Sequence, residues 1–260
     1  MGGAECPFLH RLQSEANYEG TNMVASETID RAHGLICTGN KELDKCVGGG
    51  IPYSTLMLME GQSASGKSTL SQQFIWGALT SGGKAALYTT EQTVQSFLRQ
   101  MASLGEDVSN YFLLNHLQIY PLIIPGSLDP AKLFRQFSEH ISEQTECRIV
   151  VVDSLTTIIS QADGELIQEF FTTCKSLCED GKVIIFTVHT NAFAEEILTR
   201  VSSICDAHVR LQVEKHGSQL LKTIEVAKIR GAEQKTGTIS CFEVRPGLGL
   251  RIIPISQARA

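Results

Sequence analysis

The stretch Gly61-Gln62-Ser63-Ala64-Ser65-Gly66-Lys67-Ser68 narrows what this chain can fold into more than any other part of it. It satisfies G-x-x-x-x-G-K-[ST] at every fixed position. Glycines and small side chains let a backbone wrap closely around phosphate oxygens while successive N–H groups point inward at a helix N-terminus. Lys67 adds a point charge for the β- and γ-phosphates, and the Ser68 hydroxyl is a ligand for Mg²⁺. A glycine-rich turn of no consequence could carry the same letters, so the flanks decide. An apolar strand over Thr55–Glu60 leads in. A helix from Lys67 to about Thr80 leads out, stopped by Gly82-Gly83. Residues Gly61 to Thr69 are therefore the candidate site for ATP with Mg²⁺.

The rest of the chain reads as the fold such a loop needs. After the turn Gly48–Pro52 and the first strand, the spacing gives a strand at Ala85–Thr90 and a helix near Val94–Leu104. A helix opens at Asp129-Pro130, with Asp as N-cap and Pro in the first position. Strands at Arg148–Asp153 and Lys182–Val188 alternate with helices near Glu165–Cys178 and Ala194–Ser203. Near-continuous Val, Ile and Leu in strands that alternate with helices imply a parallel sheet covered on both faces. Beyond Ala207 the texture changes to strands at His208–Val213, Leu220–Ile229, Thr238–Val244 and Leu250–Ile255. Short turns such as Lys215–Ser218 and Pro246–Gly249 join them, an antiparallel extension on one side of the sheet. The expected class is α/β: a RecA-like P-loop domain over 36–260, preceded by a loosely held extension over 1–35 that has no sustained period.

Composition narrows the function classes. A formal net charge of -6 leaves no electrostatic footprint for nucleic acid or anionic lipid. No apolar run reaches the length that spans a bilayer, and no signal or lipidation motif is visible, so a cytoplasmic protein is expected, with any membrane association made through partners. The 8 cysteines are scattered singly, which fits reduced thiols. Cys174 and Cys178 lie one helical turn apart and could share a metal, but both also fit the apolar stripe of their helix.

Further candidates sit where strands end. In a parallel sheet the C-terminal ends of strands converge on the ligand crevice. Asp153, closing the buried run Ile149–Val152, is placed to orient a Mg²⁺-bound water beside the P-loop; it would equally serve as a helix N-cap. Glu91, after Tyr88-Thr89-Thr90, can orient or deprotonate an attacking water or hydroxyl, or be another capping acid. His189 and Thr190 at the end of the next strand either sense the γ-phosphate or cap a helix. Lys228 and Arg230 alternate on one strand and so project from one face, an arrangement that solubility alone could also explain.

Gly39–Asp44, Gly48–Pro52, the P-loop, Tyr88–Glu91, Val152–Thr156 and Lys228-Ile229-Arg230-Gly231 together resemble the KaiC-like branch of the RecA superfamily, and within it the accessory ATPases of the archaeal flagellum (archaellum). That resemblance runs from about Thr38 to the C-terminus. It implies a hexameric ring with ATP between subunits, in which Lys228 and Arg230 reach the neighbour's γ-phosphate. It also implies that Glu91 matches a general base whose second glutamate is here Gln92, so hydrolysis is slow or absent. The implied partners are the motor ATPase FlaI, the membrane platform protein FlaJ and other cytosolic motor components, at a location peripheral to the cell membrane. Autophosphorylation at Thr89 or Thr90 is a further expectation, and a KaiC-type autokinase acting in signalling, without a motility motor, is the alternative reading of the same catalytic residues. A recombinase-like DNA-dependent ATPase is disfavoured, because the loops after Asp153 and His189 carry Asp163, Glu165, Glu195 and Glu196 where phosphate contacts need Lys and Arg.

Overall fold

The protein is described here from a computed structural model covering residues 34–124, 129–216, 219–232 and 239–253. Residues 1–33 of the expected extension lie outside the described residues, as do Gly217 and Ser218 of one expected turn and the strand ends expected at Thr238 and at 254–255. Leu35, grouped with that extension by the sequence, instead belongs to a strand.

Strand β1 (Leu35–Ile36) pairs antiparallel with β2 (Ile51–Pro52), and α1 (Lys41–Cys46) lies between them. There follow β3 (Leu56–Gly61), α2 (Lys67–Thr80), β4 (Lys84–Thr89), α3 (Val94–Ser103), α4 (Ser109–Leu113) and β5 (Leu117–Pro121). Next come α5 (Pro130–Glu143), β6 (Cys147–Asp153), α6 (Thr156–Ile159), α7 (Gly164–Leu177), β7 (Val183–His189) and α8 (Glu195–Ile204). Strands β8 (Ala207–His216), β9 (Gln219–Ile229), β10 (Ile239–Arg245) and β11 (Gly249–Ile253) complete the described chain. One nine-stranded sheet runs in the order β11-β10-β9-β8-β3-β7-β6-β4-β5. From β8 to β5 all neighbours are parallel, and β8 to β11 form an antiparallel meander.

Strand alternation builds a core on each face. Met57, Met59, Leu87, Val151 and Ile185 point to the face covered by α2 and α3, where Leu70, Phe74, Ile75, Phe97 and Met101 meet them. Leu58, Tyr88, Val150, Val152 and Phe186 point to the other, under α5, α7 and α8, against Phe134, Phe137, Phe170 and Phe171. Cys174 and Cys178 are buried in this second cluster as core thiols, and burial pushes Cys178 up to about 12. Helix starts follow the capping chemistry: Asn40, Thr93, Asp129 and Asp163 each accept a first-turn N–H. Gly77, inside α2, has a packing reason. A Cβ there would lie 1.8 Å from the Cys37 carbonyl oxygen, because the chain leaving β1 crosses the helix at this point.

A buried carboxyl ties the meander to the helical face. Glu106, only 7% exposed, follows α3 and lies in a cavity with Gln73 and Trp76 of α2 and Leu248 of the β10–β11 turn. Lys41, Glu42 and Arg251 line the same cavity. The Gln73 amide Nε2 is committed to the Thr38 carbonyl at 3.0 Å. Burial raises the Glu106 carboxyl from 4.5 to about 7, opposed by a hydrogen bond with Gln73. An unfolded chain ionises this group near 4.5, whereas the folded chain keeps the proton to about 7, so stability falls as pH rises through that window. Urea unfolding is expected to show a loss of about 2 kcal/mol between about pH 5 and pH 8, and Glu106→Gln to flatten it. A wild type with no such slope would contradict the buried, proton-retaining carboxyl.

Candidate nucleotide site

The P-loop springs from the end of β3, whose last residue Gly61 is paired on one side with His189 and on the other with Leu211. Side chains are excluded where the loop turns. A Cβ on Gly61 would lie 2.6 Å from both the Leu211 carbonyl and Ser65 Oγ. Gly66 takes φ +99°, and a Cβ on it would press the Phe242 ring at 2.9 Å. Gly66 is also the N-cap of α2 and offers no side-chain cap, so the first N–H groups of a 14-residue helix face the loop with their partial positive charge. The loop amide of Ser65 donates to the Gln62 carbonyl at 3.2 Å. The Ser65 hydroxyl is buried without a hydrogen-bond partner among the described residues. Lys67 folds back over the loop, its Nζ donating to the carbonyls of Gly61 at 2.8 Å and Gln62 at 2.9 Å. Burial lowers the Lys67 pKa, against the opposing charges of Asp153 and Glu91.

Those two carboxylates come from the end of β6 and from just past β4, neither of them an immediate neighbour of β3. β7 lies between β3 and β6, so Asp153 approaches Lys67 across an intervening strand rather than from the next one. The ends of the three strands are joined by threonine hydroxyls. Thr187 in β7 donates to Asp153 Oδ1 at 2.6 Å. Thr90 Oγ1 and the Ser154 backbone bond in both directions at 3.2 Å, and the Thr90 amide donates to the Asp153 carbonyl. Thr89 Oγ1 accepts from the amides of Glu91 and Gln92. Thr156 Oγ1 accepts from the His189 amide at 2.9 Å, and the Thr190 amide returns to the Gly61 carbonyl at 3.1 Å. The Asp153–Ser154 peptide is cis. Burial raises the Glu91 carboxyl pKa, the negative charge of Asp153 adds to this, and Lys67 opposes it. The side chain of Gln92 turns away to donate to the carboxamide of Gln100. Both hydroxyls considered as phosphate acceptors, Thr89 and Thr90, are thus engaged in holding this edge.

Lys228 and Arg230 lie elsewhere. Lys228 Nζ donates to the Ser202 carbonyl at 2.7 Å and Arg230 to the Ser203 carbonyl at 3.2 Å, both in the last turn of α8. Arg230 also pairs with Asp206 at 3.6 Å, and Asp206 holds Lys175 at 2.6 Å. Register fixes the distance from the P-loop. Lys228 pairs with His208, and His208 with Leu58, three residues before Gly61. Three residues along a strand and two strands across separate Lys228 from Gly61 by on the order of 14 Å of backbone. With their side chains tied to the last turn of α8, the pair lies on the side of Leu56, the end of β3 away from Gly61.

Sequence reasoning singled out Gly61–Thr69, Asp153, Glu91, His189 and Thr190, and the structure brings these to one edge. It gave no role to Thr187, a β-branched member of a buried strand, or to Thr156; only pairing across strands gives their hydroxyls a destination. It also passed over Glu60, one residue before the loop, whose carboxylate meets Arg210 at 2.7 Å and His208 at 3.4 Å. The acids of the two neighbouring loops have structural work: Asp163 caps α7, and Glu195 and Glu196 occupy the first turn of α8.

Comparison with known proteins agrees with this architecture. The family described as "ATPase: KaiC" matches residues 36–257. The archaeal flagellar ATP-binding protein FlaH of Sulfolobus acidocaldarius is 33% identical over 229 residues, 87% of this chain and 100% of that protein. FlaH of Methanocaldococcus jannaschii is 25% identical over 81% of this chain and 91% of its own length. The crystal structure of the Methanocaldococcus jannaschii flagellar accessory protein FlaH superposes with a TM-score of 0.71 at 24% identity, covering 85% of this chain and 99% of that one, a likeness of fold.

The position of the Lys67 amine, turned onto the loop it would share with phosphates, yields a direct test. Isothermal titration is expected to find ATP binding weakened about tenfold to a hundredfold by Lys67→Ala, the loss of one charge-assisted contact of about 1.5–3 kcal/mol. An unchanged affinity would remove Lys67 from the phosphate site.

Proposed function

The chain belongs to the KaiC-type ATPase family and, within it, to the FlaH group, and from that premise we propose that it is an ATP-binding subunit of the archaellum whose nucleotide is shared between neighbouring copies in a ring. The single observation that carries the shared site is the place of Lys228 and Arg230. Their side chains are tied to the last turn of α8 rather than turned to their own P-loop, two cations held on one face by the same helix end. A neighbour stacked head to tail would receive them at its γ-phosphate, as an arginine finger supplied in trans.

The residues at Gly61–Thr69 fit a bound triphosphate. The loop leaves no room for a Cβ at Gly61, α2 offers uncapped N–H groups, and the buried Ser65 hydroxyl has no partner among the described residues. Lys67 is placed to exchange its two carbonyl partners for phosphate oxygens. The hydroxyl of Ser68 and the carboxylate of Asp153 would hold Mg²⁺, which would neutralise phosphate charge. Glu91 is the group here that can orient or deprotonate a water, its carboxyl made more basic by burial and by Asp153. Gln92 offers no second carboxylate. Hydrolysis is accordingly slow, and ATP acts mainly to cement the subunit contact.

No helix among the described residues is long and apolar enough to cross a membrane. On this reading the ring engages the motor ATPase FlaI and the membrane platform protein FlaJ, and nucleotide occupancy regulates those contacts from the cytoplasmic side. Light scattering with and without ATP-Mg²⁺ tests the shared site. Wild type is expected to assemble with ATP, and Lys228→Ala/Arg230→Ala to bind ATP yet remain monomeric. Equal assembly of the double variant would overturn the trans contact.

A further inference from the structure

A hydroxyl in the middle of a buried parallel sheet must find a partner or lose its hydration for nothing. Thr187 is such a residue: 0% exposed, in β7, flanked by Phe186 and Val188. Phe186 pairs with Val152, so Thr187 falls beside Asp153 at the point where β6 ends. Its hydroxyl has two acceptors within reach, the Val152 carbonyl at 3.4 Å and Asp153 Oδ1 at 2.6 Å. The single proton goes to the nearer, charged acceptor, the stronger type of hydrogen bond. The Thr187 carbonyl meanwhile accepts from the Leu155 amide at 2.9 Å, fixing the chain two residues past Asp153. One residue therefore holds both Oδ1 of the carboxylate and the loop that follows it.

We propose that Thr187 is the positioning residue for Asp153, setting the orientation in which that carboxylate receives the hydrated Mg²⁺ of the nucleotide. This rests on the reading of Asp153 given above. Valine has nearly the shape of threonine and lacks the donor, so Thr187→Val leaves the carboxylate free to rotate about its own side chain. Serine keeps the donor. Outer partners of metal ligands of this kind are worth about tenfold to a hundredfold in metal affinity.

The experiment is a titration of full-length protein with a fluorescent ATP analogue, in EDTA and across a range of Mg²⁺ concentrations. Wild type, Thr187→Val, Thr187→Ser and Asp153→Asn are compared. Thr187→Val is expected to bind the analogue normally in EDTA and to need about tenfold or more additional Mg²⁺ for its gain in affinity. Thr187→Ser is expected to follow wild type, and Asp153→Asn to lose the gain. A normal Mg²⁺ response in Thr187→Val while Asp153→Asn loses it overturns the assignment of Thr187 alone. A normal response in both overturns it together with the reading of Asp153. Loss of binding by Thr187→Val in EDTA as well would mean that Thr187 acts on the fold rather than through Asp153, and would also overturn the proposal.

Discussion

The parallel pairing of β3, β7, β6 and β4 is the constraint on which the rest of this molecule depends. Gly61 against His189, Phe186 against Val152 and Asp153 against Thr89 are register partners, so β3, β7, β6 and β4 end within two residues of one another. A slip of one residue in any of them would turn its apolar side chains onto the other face, with a large loss of burial. The two cores on either side of the sheet thus lock the register, and the register in turn brings a cation and two carboxylates from distant parts of the chain to one edge. Packing of Leu, Val and Phe, rather than attraction among charges, assembles the site.

That assembly leaves electrostatic tension, and the structure manages it with hydroxyls. Burial and the negative charge of Asp153 raise the cost of ionising Glu91, and Lys67 offsets part of it. Thr187, Thr90, Thr89 and Thr156 fix the strand ends without adding charge. The chain Glu91–Thr89, Thr90–Ser154, Asp153–Thr187 and Thr190–Gly61 runs across four strands. A change at the P-loop has a hydrogen-bonded route to each carboxylate.

What could be read from the sequence was what local chemistry dictates. The glycine pattern, the strands of β-branched residues and the Asp129-Pro130 helix start each carry their own signal, and the observed bounds differ from the expected ones by a residue or so in most cases. Strand β5 was missed because it is an edge strand with only Leu117 and Ile119 turned to the core and a Pro at its end. The short helices α1, α4 and α6 are too brief for a period to declare itself. The partners of Asp153 and Glu91 could not be read at all, since a threonine in a buried strand looks like a β-former until the neighbouring strand is known. The same holds for Lys228 and Arg230: alternation correctly put them on one face, but only the register with His208 and Leu58 reveals how far that face lies from the P-loop.

Hydrogen–deuterium exchange with and without ATP-Mg²⁺ tests the central claim most directly, namely that nucleotide at the P-loop is felt along the whole edge of the sheet through these cross-links. Slowed exchange is predicted at residues 62–69 and, together with it, at Glu91 and Gln92, at Ser154–Thr156 and at His189–Thr190. Protection confined to residues 62–69, or absent from them, would contradict the account.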